Sequence, residues 1–143
     1  MLKGIPSILS PELIKILIEM GHSDEIVIGD GNFPAASIAQ RLVRCDGHSI
    51  CELLDAILKL FPLDYASNYK VTLMTVTPGN PYKPTIWEEY FSIIKKHEIN
   101  FTEFEYMPKF DFYERAKKAY AVVATGEKER FANLILKKGI IEE

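Results

Sequence analysis

Short apolar segments alternate with amphipathic helix patterns along the whole chain, and this alternation restricts the fold more than any other feature of the sequence. The apolar segments are rich in β-branched residues and are bounded by glycine, proline or aspartate, as strands are. They fall at residues 25–29, 42–45, 69–77, 101–106, 119–125 and 133–137. Strands that alternate with helices form a parallel sheet with helices on both faces. We therefore predict a single three-layer α/β/α domain over residues 1–143, with a mostly parallel central sheet.

Residues that can bind free backbone N–H groups mark the predicted starts of four helices: Ser10, Ser49, Thr85 and Asp111. At Ser49 and Thr85 a glutamate follows three positions later, which is the spacing of a capping box. Gly21 is predicted to end the first helix in the left-handed conformation that glycine adopts without strain. Residues 127–131 are predicted to form a further helical turn.

Composition and charge exclude several classes of protein. The chain is 48% hydrophobic and 26% charged, like an ordinary globular protein. Its net charge of −3 includes no basic stripe, so nucleic acid is not expected as a partner. No apolar run is long enough to cross a membrane. Cys45 and Cys51 match neither a zinc nor a redox motif, and we expect both thiols to be reduced in a cytoplasmic protein.

His22 and Asp30 flank the first predicted strand. An imidazole titrates near neutral pH and suits proton transfer, and open α/β sheets bind ligands at the carboxyl ends of their strands, where Asp30 is expected. Each residue also has an ordinary structural interpretation. His22 could stabilise the end of the preceding helix, and Asp30 could form the turn that Gly31 and Asn32 continue. The residues alone leave both interpretations open.

Other common kinds of site find little support in the sequence. The histidines have no metal-ligand spacing with one another or with a cysteine, so a dedicated metal site is not expected. Gly29 and Gly31 begin like a dinucleotide-binding loop, but Pro34 occupies the position of the third glycine. Five aromatic residues could line a sugar pocket or fill the core: Phe110, Phe112, Tyr113, Tyr120 and Phe131.

Two parts of the chain resemble a known family. The segment from Met20 to Asp30, followed by Phe33-Pro34-Ala35, resembles the amino-terminal signature of the ribose pyranase and fucose mutarotase family. The segments 112–116, 119–127, 131–133 and 136–139 resemble the fucose mutarotase branch in particular. The resemblance extends over nearly the whole chain, from the first helix to residue 139.

This resemblance implies a cofactor-free enzyme that interconverts the α and β anomers of a free monosaccharide, with L-fucose the expected sugar. It also implies a homo-oligomer, a ring of ten subunits with sites near the subunit interfaces. The apolar residues of the segment 1–9 favour an oligomer independently, because a free tail exposes few such side chains. The resemblance places the proton-transfer histidine at His22 and the sugar-binding residues at Asp30, Lys109, Phe131, Ala132 and Asn133.

Two of these positions depart from the family pattern. Phe131 stands where the family has a tyrosine, so a phenol hydroxyl is missing. Lys109 replaces an arginine, and a single ammonium cannot reproduce the forked hydrogen bonds of a guanidinium. Two alternatives therefore stay open: a D-ribose pyranase, which interconverts pyranose and furanose forms, and a sugar-binding oligomer without catalytic activity.

Overall fold

The computed structural model describes residues 1–143 and contains one six-stranded sheet flanked by helices. The strands are β1 (Glu25–Gly29), β2 (Leu42–Cys45), β3 (Val71–Met74), β4 (Glu105–Met107), β5 (Ala121–Thr125) and β6 (Leu134–Lys137). The helices are α1 (Pro11–Glu19), α2 (Ala35–Ile38), α3 (Ile50–Leu58), α4 (Ile86–His97) and α5 (Lys109–Lys118). The predicted α/β fold class is confirmed.

The strand order is β2-β5-β1-β6-β3-β4, and only β6 runs antiparallel to its neighbours. The pairs β1–β5, β2–β5 and β3–β4 are parallel, so the sheet is mostly parallel, as predicted. Because β6 is inverted, its amino end lies at the same edge of the sheet as the carboxyl ends of β1, β3 and β5. Loops from distant parts of the chain therefore meet at this edge.

Hydrophobic side chains fill both faces of the sheet, because successive residues of a strand point to opposite sides. In β1, Ile26 and Ile28 pack toward α1, α3 and α4, whereas Val27 packs toward α2 and α5. Leu134 and Ile135 divide in the same way in β6. The alternation gives the three layers predicted from the sequence.

Two of the four predicted helix caps are present. The Ser10 hydroxyl accepts a hydrogen bond from the N–H of Leu13, and Ser49 forms a complete capping box with Glu52. The capping box at Thr85 is wrong, because the backbone of Thr85 is already helical and its side chain makes no capping hydrogen bond. The cap at Asp111 is also wrong, because α5 begins two residues earlier, directly after Pro108. Asp111 instead lies in the first helical turn, where a negative charge is favourable.

The helix-ending role predicted for Gly21 is wrong as well. The residue with positive φ in this turn is Ser23, at +72°. Helix α1 ends when Met20 becomes extended, and the Asp24 carboxylate then accepts a hydrogen bond of 2.7 Å from the N–H of Gly21. A side chain therefore closes the turn where a left-handed glycine was expected.

Several boundaries also differ from the predictions. The segment 69–77 contributes only the short strand β3, and β4 begins at the end of the segment 101–106. Residues 127–131 do not form a helical turn: 129 is a bend and 130–131 are a turn. No helix of the chain combines the length and the apolar character needed to cross a membrane.

Candidate functional site

A cavity of about 240 Å³ opens at the edge of the sheet where β1 and β3 end and β6 begins. Four of the residues predicted to bind sugar line it: Asp30, Lys109, Phe131 and Asn133. The register of the sheet brings two of them together. Because Ile28 pairs with Leu134 in the antiparallel β1–β6 ladder, the residues just after β1 lie beside those just before β6.

Asp30 is almost completely buried, with 7% of its surface exposed. Its backbone N–H donates a hydrogen bond of 2.7 Å to Oδ1 of Asn133, and its own Oδ1 accepts one of 2.9 Å from the N–H of Asn32. Burial raises the pKa of the Asp30 carboxyl group, and hydrogen bonds from the backbone N–H groups of Asn32, Ala132 and Phe33 offset part of this increase. Asp30 is therefore a fixed carboxylate whose proton affinity is higher than usual.

The loop between β5 and β6 is fixed by two donors from α4. The Trp87 indole N–H donates to the carbonyl of Phe131, and the Tyr90 hydroxyl donates to the carbonyl of Ala132, both at 2.8 Å. Tyr90 is fully buried, and this burial raises its pKa and keeps the phenol protonated as a donor. Helix α4 thus holds Phe131 in a left-handed conformation, with φ at +55°, at the wall of the cavity.

Ala132 is the one predicted sugar-binding residue of this loop that does not line the cavity. Its side chain is fully buried in the core. A hydrogen bond from its backbone N–H lowers the pKa of the Asp30 carboxyl group, and its carbonyl accepts the hydrogen bond from Tyr90. A direct contact between Ala132 and a ligand stays a prediction. In the structure its backbone contacts Asp30 and Tyr90 behind the residues that line the cavity.

Lys109 lies at the mouth of the cavity as the first residue of α5. Its ammonium group is 5.3 Å from the centroid of the Phe110 ring and 6.0 Å from that of Tyr113. Attraction between a cation and aromatic faces favours this placement. The side chain is exposed and can reorient toward a hydroxyl group in the cavity.

Arg130 also lines the cavity, although no pattern in the sequence predicts it there. Its guanidinium carbon lies 4.4 Å from the centroid of the Tyr82 ring, and the Tyr82 hydroxyl donates a hydrogen bond of 2.6 Å to Glu129. The only sequence signal for Arg130 was its position directly before Phe131. The cavity therefore contains a guanidinium group even though Lys109 replaces the expected arginine.

The five aromatic candidates divide between the site, the core and the surface. Tyr113 and Phe131 line the cavity, and burial raises the pKa of the Tyr113 phenol. Phe112 is fully buried in the core, and Phe110 is 73% exposed outside the cavity. Tyr120 stacks under the Arg41 guanidinium and donates to Glu19, far along the sheet from the site.

His22 lies at the opposite edge of the sheet, because it precedes β1 whereas Asp30 follows it. Its side chain is 51% exposed, and Nε2 lies 3.3 Å from Oδ1 of Asp64. The hydrogen-bonding partner of the imidazole is thus a carboxylate and not the carbonyl end of α1. Within one chain the structure does not bring His22 together with the other predicted site residues.

Asp30 also borders a second cavity of about 290 Å³, on the side of β2. The charged residues there, Arg44 and Asp46, pair with each other at 2.7 Å, so their charges are mutually neutralised. The chain contains no group of three or more His, Cys, Asp or Glu residues arranged to hold a metal ion. The cavity that contains Lys109, Arg130 and Asn133 is therefore the better candidate for a polar ligand.

The chain is similar to sugar mutarotases over nearly its whole length. An L-fucose mutarotase of Actinobacillus pleuropneumoniae is 44% identical over 98% of this chain and 97% of its own. The human fucose mutarotase is 46% identical over 98% of this chain and 94% of its own.

Solved structures agree with these similarities. The fucose mutarotase of Streptococcus pneumoniae in complex with L-fucose superposes with a TM-score of 0.93 at 50% identity, covering 99% of this chain and all of that one. Bacillus subtilis RbsD complexed with D-ribose shares the fold at a TM-score of 0.70 and 23% identity, covering 94% of this chain and 95% of that one.

A family model described as the RbsD / FucU transport protein family matches residues 3–141. This match and the full-length relatives agree with the resemblance noted in the sequence. The chain therefore belongs to the RbsD / FucU family.

Proposed function

We propose that this chain is a mutarotase, an isomerase that interconverts the α and β anomers of L-fucose. The observation that carries the proposal is the cavity at the carboxyl end of β1, where a carboxylate, two cationic side chains, an amide and aromatic rings converge. Directional polar groups beside one apolar wall are what a monosaccharide requires. Relatives at 44–46% identity over nearly the full length are named fucose mutarotases, which supports this choice of sugar.

The reaction needs only proton transfer. A base removes the proton of the anomeric hydroxyl group, the bond between C1 and the ring oxygen breaks, and an acid protonates the ring oxygen. This step gives the open-chain aldehyde, and the reverse steps on the other face of the carbonyl close the ring as the opposite anomer. No proton or electron is gained overall, so the proposed reaction requires no cofactor.

We assign the proton-transfer role to His22 and the binding role to the residues of the cavity. Asp30, Lys109 and the amide of Asn133 hold sugar hydroxyl groups, and Phe131 covers the apolar face of the ring. Ala132 supports these contacts from behind through its backbone. Arg130 adds a forked donor on the same wall.

His22 reaches the sugar in this proposal from a neighbouring copy of the chain. Residues 23–29 separate His22 from Asp30, and the five of them that form β1 alone extend roughly 16 Å. One monosaccharide therefore cannot contact both residues of the same chain. A homo-oligomer whose copies meet at the cavity resolves this, and the resemblance noted in the sequence suggests a ring of ten.

The amino-terminal segment supplies a second reason to propose an oligomer. Residues 1–9 and α1 enclose an apolar cavity of about 710 Å³, and Met1, Leu2 and Ile18 are exposed there. Another copy of the chain would cover these side chains. Light scattering at micromolar protein concentration is expected to report an oligomer, and a monomer would contradict the shared site.

We also propose a cytoplasmic location, which the two unpaired cysteines support. Burial raises the pKa of the Cys51 thiol to about 11 and also raises that of Cys45. Both thiols therefore stay protonated and unreactive at neutral pH.

Saturation-transfer NMR on equilibrated sugars tests the activity. The protein is expected to accelerate exchange between the α and β signals of L-fucose above the rate in buffer. D-ribose and D-galactose serve as comparison sugars, and selective growth of exchange between pyranose and furanose signals of ribose would favour a ribose pyranase. Buffer-rate exchange for all three sugars would contradict the enzyme proposal.

The alternative function is sugar binding without catalysis. It is suggested by the missing phenol hydroxyl group at Phe131 and by the lysine that replaces an arginine at position 109. It predicts saturable sugar binding in a calorimeter together with unaccelerated exchange. In that case Phe131→Tyr, which restores the hydroxyl group, is expected to raise the exchange rate. The guanidinium of Arg130 in the same cavity favours the active enzyme, because it offsets the substitution at Lys109.

A further inference from the structure

The loop between β3 and α4 carries Tyr82 to the border of the cavity. Two hydrogen bonds shape this loop: the N–H of Asn80 donates to the carbonyl of Thr77, and the N–H of Tyr82 donates to Oδ1 of Asn80, both at 3.0 Å. Gly79 lies in the same turn with φ at +87°, a conformation that glycine adopts without strain. Because Thr77 itself lines the cavity, the loop that holds Tyr82 also forms part of the cavity wall.

Tyr82 contacts three consecutive residues of the loop between β5 and β6. Its hydroxyl group donates a hydrogen bond of 2.6 Å to Glu129, and the centroid of its ring lies 4.4 Å from the guanidinium carbon of Arg130 and 6.0 Å from the centroid of the Phe131 ring. The hydrogen bond to the Glu129 carboxylate raises the pKa of the Tyr82 phenol, so the hydroxyl group stays protonated as a donor at neutral pH. One side chain therefore connects the two loops beside the cavity.

Arg130 differs from the other three arginines of the chain in the hydrogen bonds of its guanidinium group. Arg41, Arg44 and Arg115 each donate to a carbonyl or carboxylate oxygen of the chain. The guanidinium group of Arg130 donates no hydrogen bond and forms no ion pair; its close contact is the Tyr82 ring. Contact with an aromatic ring restricts an exposed arginine side chain and occupies none of its N–H donors. These donors are therefore available to a ligand in the cavity.

A similar cluster far from the cavity provides a comparison. The guanidinium carbon of Arg41 lies 3.9 Å from the centroid of the Tyr120 ring, and the Tyr120 hydroxyl group donates a hydrogen bond of 2.9 Å to Glu19. Arg41 also donates to the carbonyl of Tyr120 at 3.1 Å, so this guanidinium group is bound within the chain. The cluster of Tyr82 and Arg130 has the same components, but its arginine lines a cavity and keeps its donors free.

We propose that Tyr82 is a positioning residue for Arg130. The ring of Tyr82 holds the guanidinium group at the cavity, where it donates hydrogen bonds to hydroxyl oxygens of the sugar. Tyr82 acts through Arg130 and takes no part in proton transfer, so it contributes to sugar affinity and not to the chemical step. This inference rests on the sugar-binding function proposed above.

Tyr82→Leu is the main variant, because it removes the ring and keeps an apolar side chain. It is expected to weaken L-fucose binding about three- to fivefold in a calorimeter, with the exchange rate at saturating sugar within about twofold of wild type. Tyr82→Phe keeps the ring and is expected to bind within about twofold of wild type. Tyr120→Leu removes the ring of the comparison cluster and is expected to change neither quantity. Unchanged affinity in Tyr82→Leu, or an equal loss in Tyr82→Phe, would overturn the proposal.

A double variant separates positioning of Arg130 from a direct contribution of Tyr82. Arg130→Met alone is expected to weaken binding by about tenfold or more, since a charged hydrogen-bond donor is lost. Because Tyr82 acts through Arg130, adding Tyr82→Leu to Arg130→Met is expected to weaken binding by less than about twofold further. If the two losses multiply instead, Tyr82 acts independently of Arg130 and the proposal is wrong.

Arginine side-chain NMR tests the positioning without any sugar. The Nε–Hε signal of Arg130 is assigned in the ¹⁵N-labelled full-length protein by its absence in Arg130→Met. Ring current is expected to move this signal upfield in the wild type, and the displacement is expected to be lost in Tyr82→Leu, with the Arg41 signal unchanged. An Arg130 signal at the same position in both proteins would refute the positioning. If the wild type neither binds nor exchanges L-fucose, the proposed function fails, and this signal still decides whether Tyr82 positions Arg130.

Discussion

The backbone N–H of Asp30 donates a hydrogen bond of 2.7 Å to the side-chain oxygen of Asn133, which lies 103 residues later in the chain. This contact joins the end of β1 to the start of β6 and is itself buried, since Asn133 is 2% exposed. The amide of Asn133 thereby fixes the backbone that carries the Asp30 carboxylate. The stability of this loop and, in the proposed function, the binding of the sugar therefore involve the same side chain.

Asn133→Ala is expected to lower the free energy of unfolding by about 1–3 kcal/mol, because a buried N–H loses its acceptor. Urea denaturation measures the change. Asn100→Ala is the matched control, because Asn100 is exposed in a turn and its replacement is expected to change stability by less than about 0.5 kcal/mol. Equal effects of the two variants would show that the hydrogen bond to Asp30 contributes nothing.

Asp30→Asn is expected to change the pH dependence of stability. Burial raises the pKa of this carboxyl group in the folded chain, so the folded state retains the proton to higher pH than the unfolded state does. Stability is therefore lost as pH rises from the unfolded pKa through the folded one, and an amide does not ionise. The melting temperature of the variant relative to wild type is expected to be higher at neutral pH than at acid pH. A difference independent of pH would argue against this buried charge.

Lys109→Met is expected to weaken L-fucose binding by about tenfold or more, which corresponds to losing one charged hydrogen bond of about 1.5–3 kcal/mol. The residue is exposed at the start of α5, so the fold is expected to be unaffected. Calorimetric titration gives the affinity. Lys118→Met, at the other end of the same helix, is expected to bind like the wild type, and equal weakening in both variants would point to a general charge effect.

His22→Gln separates a chemical role from a structural one. Loss of a proton-transfer group is expected to reduce exchange by about 10²–10⁴, while the residues of the cavity preserve much of the affinity. If His22 only pairs with Asp64 and takes no part in the reaction, a small loss of stability of up to about 1 kcal/mol with near-normal exchange is expected instead. Melting temperature and exchange rate, measured on the same sample, distinguish the two outcomes.

Mixing two inactive variants tests whether the site is shared between copies. In a ring assembled at random from equal amounts of His22→Gln and Asp30→Asn chains, about one quarter of the interfaces combine an intact His22 with an intact Asp30. Exchange is therefore expected to recover to about a quarter of the wild-type rate after co-refolding. Unmixed samples of each variant are the controls. If mixing restores no activity, His22 and Asp30 do not act together across an interface.

Local chemistry accounts for the parts of the fold that the sequence predicted correctly. The strand and helix pattern and the caps at Ser10 and Ser49 depend on residues only a few positions apart. The prediction for Gly21 was wrong because the Asp24 side chain closes the same turn. The prediction for Thr85 was wrong because its backbone is already helical. Such competition depends on tertiary context, which a spacing rule does not contain.

The residues of the candidate site were harder to predict from the sequence than the fold. Asp30 was expected at a strand end, but its neighbours in space were suggested only by the family resemblance, because the β1–β6 register joins residues a hundred positions apart. Arg130 was missed because a charged residue in a loop has no periodic signal. The contact between His22 and Asp64 likewise joins residues 42 positions apart, which no local pattern links.

Trp87 gives the protein a built-in optical probe. It is the only tryptophan in the chain, and its indole N–H donates a hydrogen bond to the carbonyl of Phe131, a residue that lines the cavity. Indole emission responds to changes in this hydrogen bond, so a sugar that shifts the loop would alter the fluorescence of a single, already assigned fluorophore. Ligand binding to the unlabelled wild-type protein can therefore be followed by its own emission.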